Sequence, residues 1–296
     1  LHLSIRRQRQ MCIRDSVAKA CGVSYSTVSK ALKNSPLVKP NTKSYIQQKA
    51  AEMNYIPNHS ARALVSKRSN TIGLIWPSVD RVAVTHLVSE INEALKSLGY
   101  VMILSIDDIA VASKKFLEFG CDGIIIFDEG PSTNIPTDVY QNIPVVAYGV
   151  DREIDYPIIN VNHNKAMIMA IESLLAKGVK QIDYIGDINT TDSRQVAKKN
   201  AIVDYCQQHH IYYRLIDSQG LSALETESAV KNFYAQHDLA PGVICGSYDI
   251  TIGTLNAIDL DRNQPIIYSY DNIPHITKLD YPVHACLLYT SDAADE

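Results

Sequence analysis

The chain has 296 residues, 46% of them hydrophobic, enough to bury a full core and to form two or three domains. No apolar run approaches the roughly 20 residues of a membrane-spanning helix, and the N-terminal LHLSIRRQRQMCIRDS carries charges with no apolar stretch behind them, unlike a secretory signal. Six cysteines stand singly, with no C-x-x-C pair, so neither a zinc site nor a disulfide framework is read, and a reducing cytoplasm is the expected location. The net charge of −4 hides a strong asymmetry. Residues 1–70 hold 13 Lys and Arg against only Asp15 and Glu52, while the remainder holds 15 cations against 30 acids. A basic head on an acidic body suits a phosphate backbone, although a basic solvated surface would carry the same charge.

Within the head, VAKAC (17–21) reads as a short helix closed by Gly22, a residue suited to the left-handed conformation. Ser24 is the expected N-cap of a second helix over 25–32. Pro40 and Thr42 open a third, NTKSYIQQKAAEMNY, with Ile46, Ala50 and Met53 on one stripe. Two helices joined by a tight glycine turn, with Ala18, Gly22 and Val28 at their crossing, predict a helix-turn-helix. The second helix then presents short hydroxyls and cations and no acid, the face a major groove would accept. Tyr25, Ser26 and Lys30 are the candidate base readers, and Ser24, Thr27, Ser29 and Lys33 suit phosphates. A capped surface helix of a small bundle is the plainer alternative.

The segment VAKACGVSYSTVSKALKNSPLVKPNTKSYIQQKAAEMNYIPNHSARAL resembles the head of the lactose-repressor (LacI/GalR) family of bacterial transcription regulators, in a match that begins at Val17 and continues past this segment to about Leu74. The motifs G-V-S-x-x-T-V-S and N-Y-x-P-N occur together at that family's spacing. The resemblance implies that Tyr25, Ser26 and Lys30 stand at base-contacting positions. It also implies that the segment after Tyr55 is a hinge helix that folds when two copies pair on DNA, with Asn58 and Arg62 in register, Leu64 entering the minor groove and Ala61 beside it. An isolated helix of that length is marginal in water.

From Thr71 the texture becomes short apolar runs alternating with helical patterns. TIGLIWP, YVMILSI, GCDGIIIF, IPVVAYG, QIDYIGD, YYRLID, GVICGS and PIIYSYD read as buried parallel strands. THLVSEINEALKSLG, NKAMIMAIESLLAKG and SALETESAVKNFYAQH read as helices between them. The predicted fold is therefore an all-α helix-turn-helix head on a doubly wound α/β body, with a ligand outside the carboxyl ends of the strands. No glycine-rich phosphate loop, G-x-S-x-G elbow or H-E-x-x-H is found, and no cofactor, metal or catalytic constellation is expected. His209–His210 and Asp107–Asp108 read as solvated loop residues.

The body is similar to the family's two-lobed, periplasmic-binding-protein-like effector domain. The expected organisation is a leader over 1–16, the head over 17–57, a hinge over 58–70, and an effector domain over 71–285 with lobes of about 71–160 and 161–283. Such a cleft binds a sugar or related metabolite. The resemblance places Asp249 at the family's cleft aspartate, Lys198 where an arginine usually clamps the ligand, and Asp271 in the turn that here reads SYDN. A lysine cannot make the arginine's fork, so Arg194 one turn earlier is a candidate substitute. Trp76, the only tryptophan, could stack on a sugar face or pack in the lobe rim. SIDDIAVASKKFLEFGCDG looks short for the strand-helix-strand unit it should encode. Residues 1–16 and 286–296 fall outside the resemblance, so both ends are expected to be foreign to it and the domain C-terminally truncated.

These features predict a cytoplasmic, nucleoid-associated repressor, a homodimer on a pseudo-palindromic operator whose affinity a small sugar-like effector controls. A transport-type sugar-binding protein would need a secretion signal and no basic head, and a sugar-processing enzyme would need a catalytic set.

Overall fold

The computed structural model describes residues 15–55, 68–76, 80–127, 135–149 and 153–285. The chain divides into two units, 1–69 and 70–296.

In the first unit, helix α1 covers 15–21, two residues earlier than expected, followed by α2 (Tyr25–Leu32) and α3 (Pro40–Glu52). The helical spacing of the apolar residues brings Val17, Ala18, Val28, Ala31, Val38, Ile46 and Ala50 into one buried core, edged by Cys21, Val23, Leu32, Met53 and Tyr55. Gly22 turns the chain at φ +64°, and its N–H donates to the Lys19 carbonyl. The Ser24 side chain caps α2 by accepting from the Thr27 N–H. Sequence reading missed what fixes the loop between α2 and α3. Asn34 takes a left-handed φ of 56°, its carbonyl accepts from Lys43 Nζ at 3.1 Å, and its Oδ1 accepts from Gln47 Nε2 at 2.9 Å.

The second unit holds two wholly parallel five-stranded sheets. Sheet I has the order β2-β1-β3-β4-β5, with β1 Thr71–Ile75, β2 Val101–Ser105, β3 Gly123–Phe127, β4 Val145–Tyr148 and β5 Ile158–Ile159. Sheet II has the order β10-β9-β8-β6-β7, with β6 Gln181–Gly186, β7 Tyr212–Asp217, β8 Gly242–Cys245, β9 Ile266–Ser269 and β10 Val283–Ala285. All eight predicted strands form. The two unforeseen ones, β5 and β10, have two and three residues, too few to show a pattern. Around the sheets run α4 (Val82–Ser97), α5 (Ile109–Phe119), α6 (Thr137–Tyr140), α7 (His163–Ala176), α8 (Ser193–Gln208), α9 (Ala223–Tyr234) and α10 (Tyr248–Ala257), then a 3-10 turn over Pro274–Lys278.

One sequence expectation is corrected here. SIDDIAVASKKFLEFGCDG is not short: it encodes a full strand-helix-strand unit around α5, capped by Asp108 at one end and by left-handed Gly120 at the other. Asp107 and Asp108 are exposed loop residues, as expected, and each has a local partner. Asp108 accepts from the N–H groups of Ala110 and Val111, and Asp107 pairs with Lys115 at 3.2 Å.

In sheet II the close seam is α9 against α10. A Cβ on Gly253 would stand 2.3 Å from the Ala223 carbonyl oxygen and 3.0 Å from the Glu227 nitrogen, backbone atoms that no rotamer can move. Gly253→Ala should push the helices apart at about 1–3 kcal/mol, read as a lower urea midpoint with an unchanged slope.

Candidate functional site

The exposed face of α2 carries the predicted readers. Tyr25 is 41% exposed, Ser26, Lys30 and Lys33 are exposed, and Thr27 and Ser29 are half-buried, while Val28 and Ala31 hold the opposite face in the core. The first turn has no acid and the last turn carries Lys30, so the helix presents its positive dipole end and its cations on the same element. Ser24 needs a revised role. Its Oγ lies 2.8 Å from Ser26 Oγ and 2.9 Å from Thr27 Oγ1 and caps the helix, so it orders the other two hydroxyls rather than standing free for a phosphate. The hinge candidates Asn58, Ala61, Arg62 and Leu64 lie outside the described residues.

In the body, the carboxyl ends of both sheets open on one cleft, where parallel α/β sheets hold their ligands. Sheet I supplies Trp76, Phe127, Tyr148 and Asn160, and sheet II supplies Ser247, Tyr270 and Asp271. Trp76, Arg194, Lys198, Asp249 and Asp271, separated by up to 195 positions, all line it. Its free space is about 110 Å³, below the ~300 Å³ typical of small-molecule pockets. A sugar-sized ligand therefore requires some parting of the walls.

Each wall residue has a defined setting. Trp76 is 0% exposed and stacked on Phe127 at 4.3 Å, with Phe127 stacked in turn on Tyr148 at 5.3 Å. It is packed in the lobe and also lines the cleft. Arg194 forks onto Asp192, with Nε donating to Oδ1 at 3.0 Å and Nη2 to Oδ2 at 2.9 Å, and its guanidinium lies 4.6 Å from the Phe127 ring centroid. Lys198 is 4% exposed; its Nζ donates to the Gly246 carbonyl at 2.9 Å and sits 3.7 Å from the Tyr270 ring centroid. Burial pushes its ammonium down to about 8, opposed by Asp271 and helped by Arg194 and Arg81. Asp271 accepts the Tyr248 N–H through Oδ2 at 2.8 Å. Burial, then Asp271, pushes the Asp249 carboxyl up, while Arg81 and the Val82 N–H hold it down.

Sequence reading missed His163 and Gln195. His163 stands at the start of α7, its Nδ1 2.5 Å from Tyr270 Oη. Burial, with Lys198 and Arg194 close by, pushes it down to about 4, so the ring is neutral at pH 7. The two residues are 107 positions apart, beyond any local signal. Five buried side-chain polar atoms among the described residues have no partner in the protein, and four of them line this cleft: Trp76 Nε1, His163 Nε2, Gln195 Oε1 and Asp249 Oδ2. Buried polar atoms are nearly always satisfied, so this concentration marks a place built for another molecule's hydroxyls and amines.

Known proteins similar to this chain match both parts. Residues 13–58 match the family described as "Bacterial regulatory proteins, lacI family", beginning four residues before Val17. Catabolite control protein A of Staphylococcus epidermidis is 30% identical over 253 residues, covering 81% of this chain and 75% of that protein. The probable HTH-type transcriptional repressor ExuR of Bacillus subtilis is 29% identical over 258 residues, covering 82% and 75%. A crystal structure of the Lac repressor dimer bound to operator and the anti-inducer ONPF superposes with a TM-score of 0.72 at 21% identity, over 91% of this chain and 85% of that one. The helix-turn-helix head, the two-sheet body and this level of identity across four-fifths of the chain lead to one conclusion: the chain belongs to the lacI family of bacterial regulatory proteins, DNA-binding regulators of transcription.

Proposed function

We propose that Tyr25, Ser26 and Lys30 read base edges of an operator, that Thr27, Ser29 and Lys33 hold its phosphates, and that the cleft of the body binds a small sugar-like effector that changes operator affinity. The segment with Asn58, Ala61, Arg62 and Leu64 would form the hinge between them. Trp76, Arg194, Lys198, Asp249 and Asp271 would line the effector site, with His163 and Gln195 added. Two copies would act together on a pseudo-palindrome in the cytoplasm, without turnover of the effector and without a cofactor. The single observation that carries the effector reading is the gathering of four unpartnered polar atoms in one cleft.

Pairing of copies has its own support. β2 is an edge strand of sheet I, and Val101 within it, Leu98 ahead of it and Ile106 after it are exposed at 56%, 72% and 54%. An exposed apolar edge is a liability that proteins cover, and a second copy would cover it. The related Lac repressor is a dimer on its operator.

The reading is checked by fluorescence anisotropy with operator selected from random DNA. A two-fold-symmetric site should emerge, and Tyr25→Ala should relax its preference at one base pair per half-site, by about 1–3 kcal/mol. Lys33→Ala should instead weaken all sequences alike and lower the salt slope by about one per copy. Failure to enrich any sequence at moderate salt would remove the proposal.

A further inference from the structure

We propose that the effector is a sugar acid, a polyhydroxy compound with one carboxylate, and that Lys198 is the residue that selects the acid over the neutral sugar. This rests on the cleft being the effector site.

The argument begins with an imbalance of partners in the second lobe. Arg214 forks onto Asp183, at 2.7 and 2.6 Å, and Arg194 forks onto Asp192. Lys198, more buried than either, has one acceptor, the Gly246 carbonyl, and the face of Tyr270. Among the described residues no carboxylate lies within ion-pair distance of it. Asp271, whose charge it feels, is turned to the Tyr248 N–H. Lysine is almost never buried so deeply without a counter-ion, because an uncompensated charge in a low-dielectric wall is costly. Two of its three donors remain for a ligand.

His163 points to the same place. It and Lys198 flank one residue, Tyr270, one at the hydroxyl and the other over the ring. When the Tyr270 hydroxyl donates to Nδ1, the neutral ring carries its proton on Nε2, the buried atom that lacks a partner. Lys198 Nζ and His163 Nε2–H then supply two donors, a match for the two oxygens of a carboxylate. A phosphate dianion has three oxygens and twice the charge, more than one ammonium and one neutral imidazole can satisfy. Elsewhere in the cleft Trp76 Nε1 is one more free donor, suited to a hydroxyl oxygen, and the other free atoms are acceptors, Asp249 Oδ2 and Gln195 Oε1. They call for hydroxyl donors and would repel a second acid. One carboxylate together with several hydroxyls satisfies both sets, whereas a neutral sugar leaves Lys198 uncompensated.

The test is calorimetric titration of the full chain with a panel of neutral aldohexoses, their hexuronates and aldonates, and hexose 6-phosphates. At least one six-carbon acid should bind roughly 30-fold more tightly than its neutral parent, the range expected for a charge-assisted pair. Lys198→Met should bring that ratio near one, and Lys198→Arg should restore most of it. A neutral hexose binding as well as its acid, a phosphate binding best, or a ratio unmoved by Lys198→Met would overturn the proposal and leave the effector site standing. If nothing in the panel binds a chain that still selects its operator, the effector reading of the cleft falls too.

Discussion

Asp183→Ala should lower the stability of the body by about 3–5 kcal/mol, the usual result of removing one partner from a buried ion pair. Asp183 is fully buried in β6, where alternation along the strand turns it into the sheet-helix interface instead of solvent. Its carboxylate accepts the Arg214 fork from β7, the Tyr234 hydroxyl from α9 at 2.8 Å and the Ala240 N–H ahead of β8 at 3.3 Å. Four elements of the second lobe thus meet on one side chain. Alanine would strand the Tyr234 phenol and leave the Arg214 guanidinium with the Asp238 carbonyl, 2.7 Å from Nη2, in place of a carboxylate. At 2–4 °C per kcal/mol for a unit of this size, the melting temperature should fall by roughly 10 °C. Asp183→Asn, which keeps the shape but offers one acceptor oxygen, should lose less. A fall under 1 kcal/mol for the alanine variant would show that the network is not what joins these elements.

Asp183 also marks where sequence reading stops. QIDYIGD reads as a buried strand because its apolar residues outweigh one acid, but nothing within six residues tells that the acid is satisfied by a partner 31 positions on. The same division runs through the molecule. Gly22 and Ser24 are legible because a left-handed turn and an N-cap involve only neighbours. Position of the cleft is legible because strand polarity fixes it. The Trp76–Phe127 stack, the His163–Tyr270 pair and the Lys43–Asn34 clasp are not, since each depends on two distant segments meeting. Lys198 is an intermediate case. Resemblance placed it in the cleft as a departure from an expected arginine, but only the folded chain shows it without a carboxylate while Arg194 is already occupied by Asp192.

Lys198→Met should make the ligand-free protein more stable at pH 7, by roughly 3 kcal/mol if the full depression from 10.5 to about 8 is released. The direction follows from proton counting. Between pH 8 and 10.5 the unfolded chain holds the lysine proton and the native chain does not, so the native state gains stability as pH rises through that window. Below about 8 both forms are charged and wild type carries the whole penalty. The advantage of methionine should therefore be constant from pH 6 to 7.5 and shrink towards zero by about 10.5, which urea melts at pH 7 and 10 will measure. His163 titrates in a separate window. Its depression to about 4 means stability drains away as pH falls from about 6.5, because the unfolded imidazole takes up a proton that the native one refuses. Removing the Lys198 charge should move that acid limb to lower stability loss, since after burial the Lys198 ammonium does most to hold the His163 imidazole neutral. A side chain that costs this much in the empty protein is retained for something it does when the cleft is filled. If methionine destabilises the protein at pH 7, the Gly246 carbonyl and the Tyr270 ring already compensate the ammonium, and Lys198 has no need of a ligand.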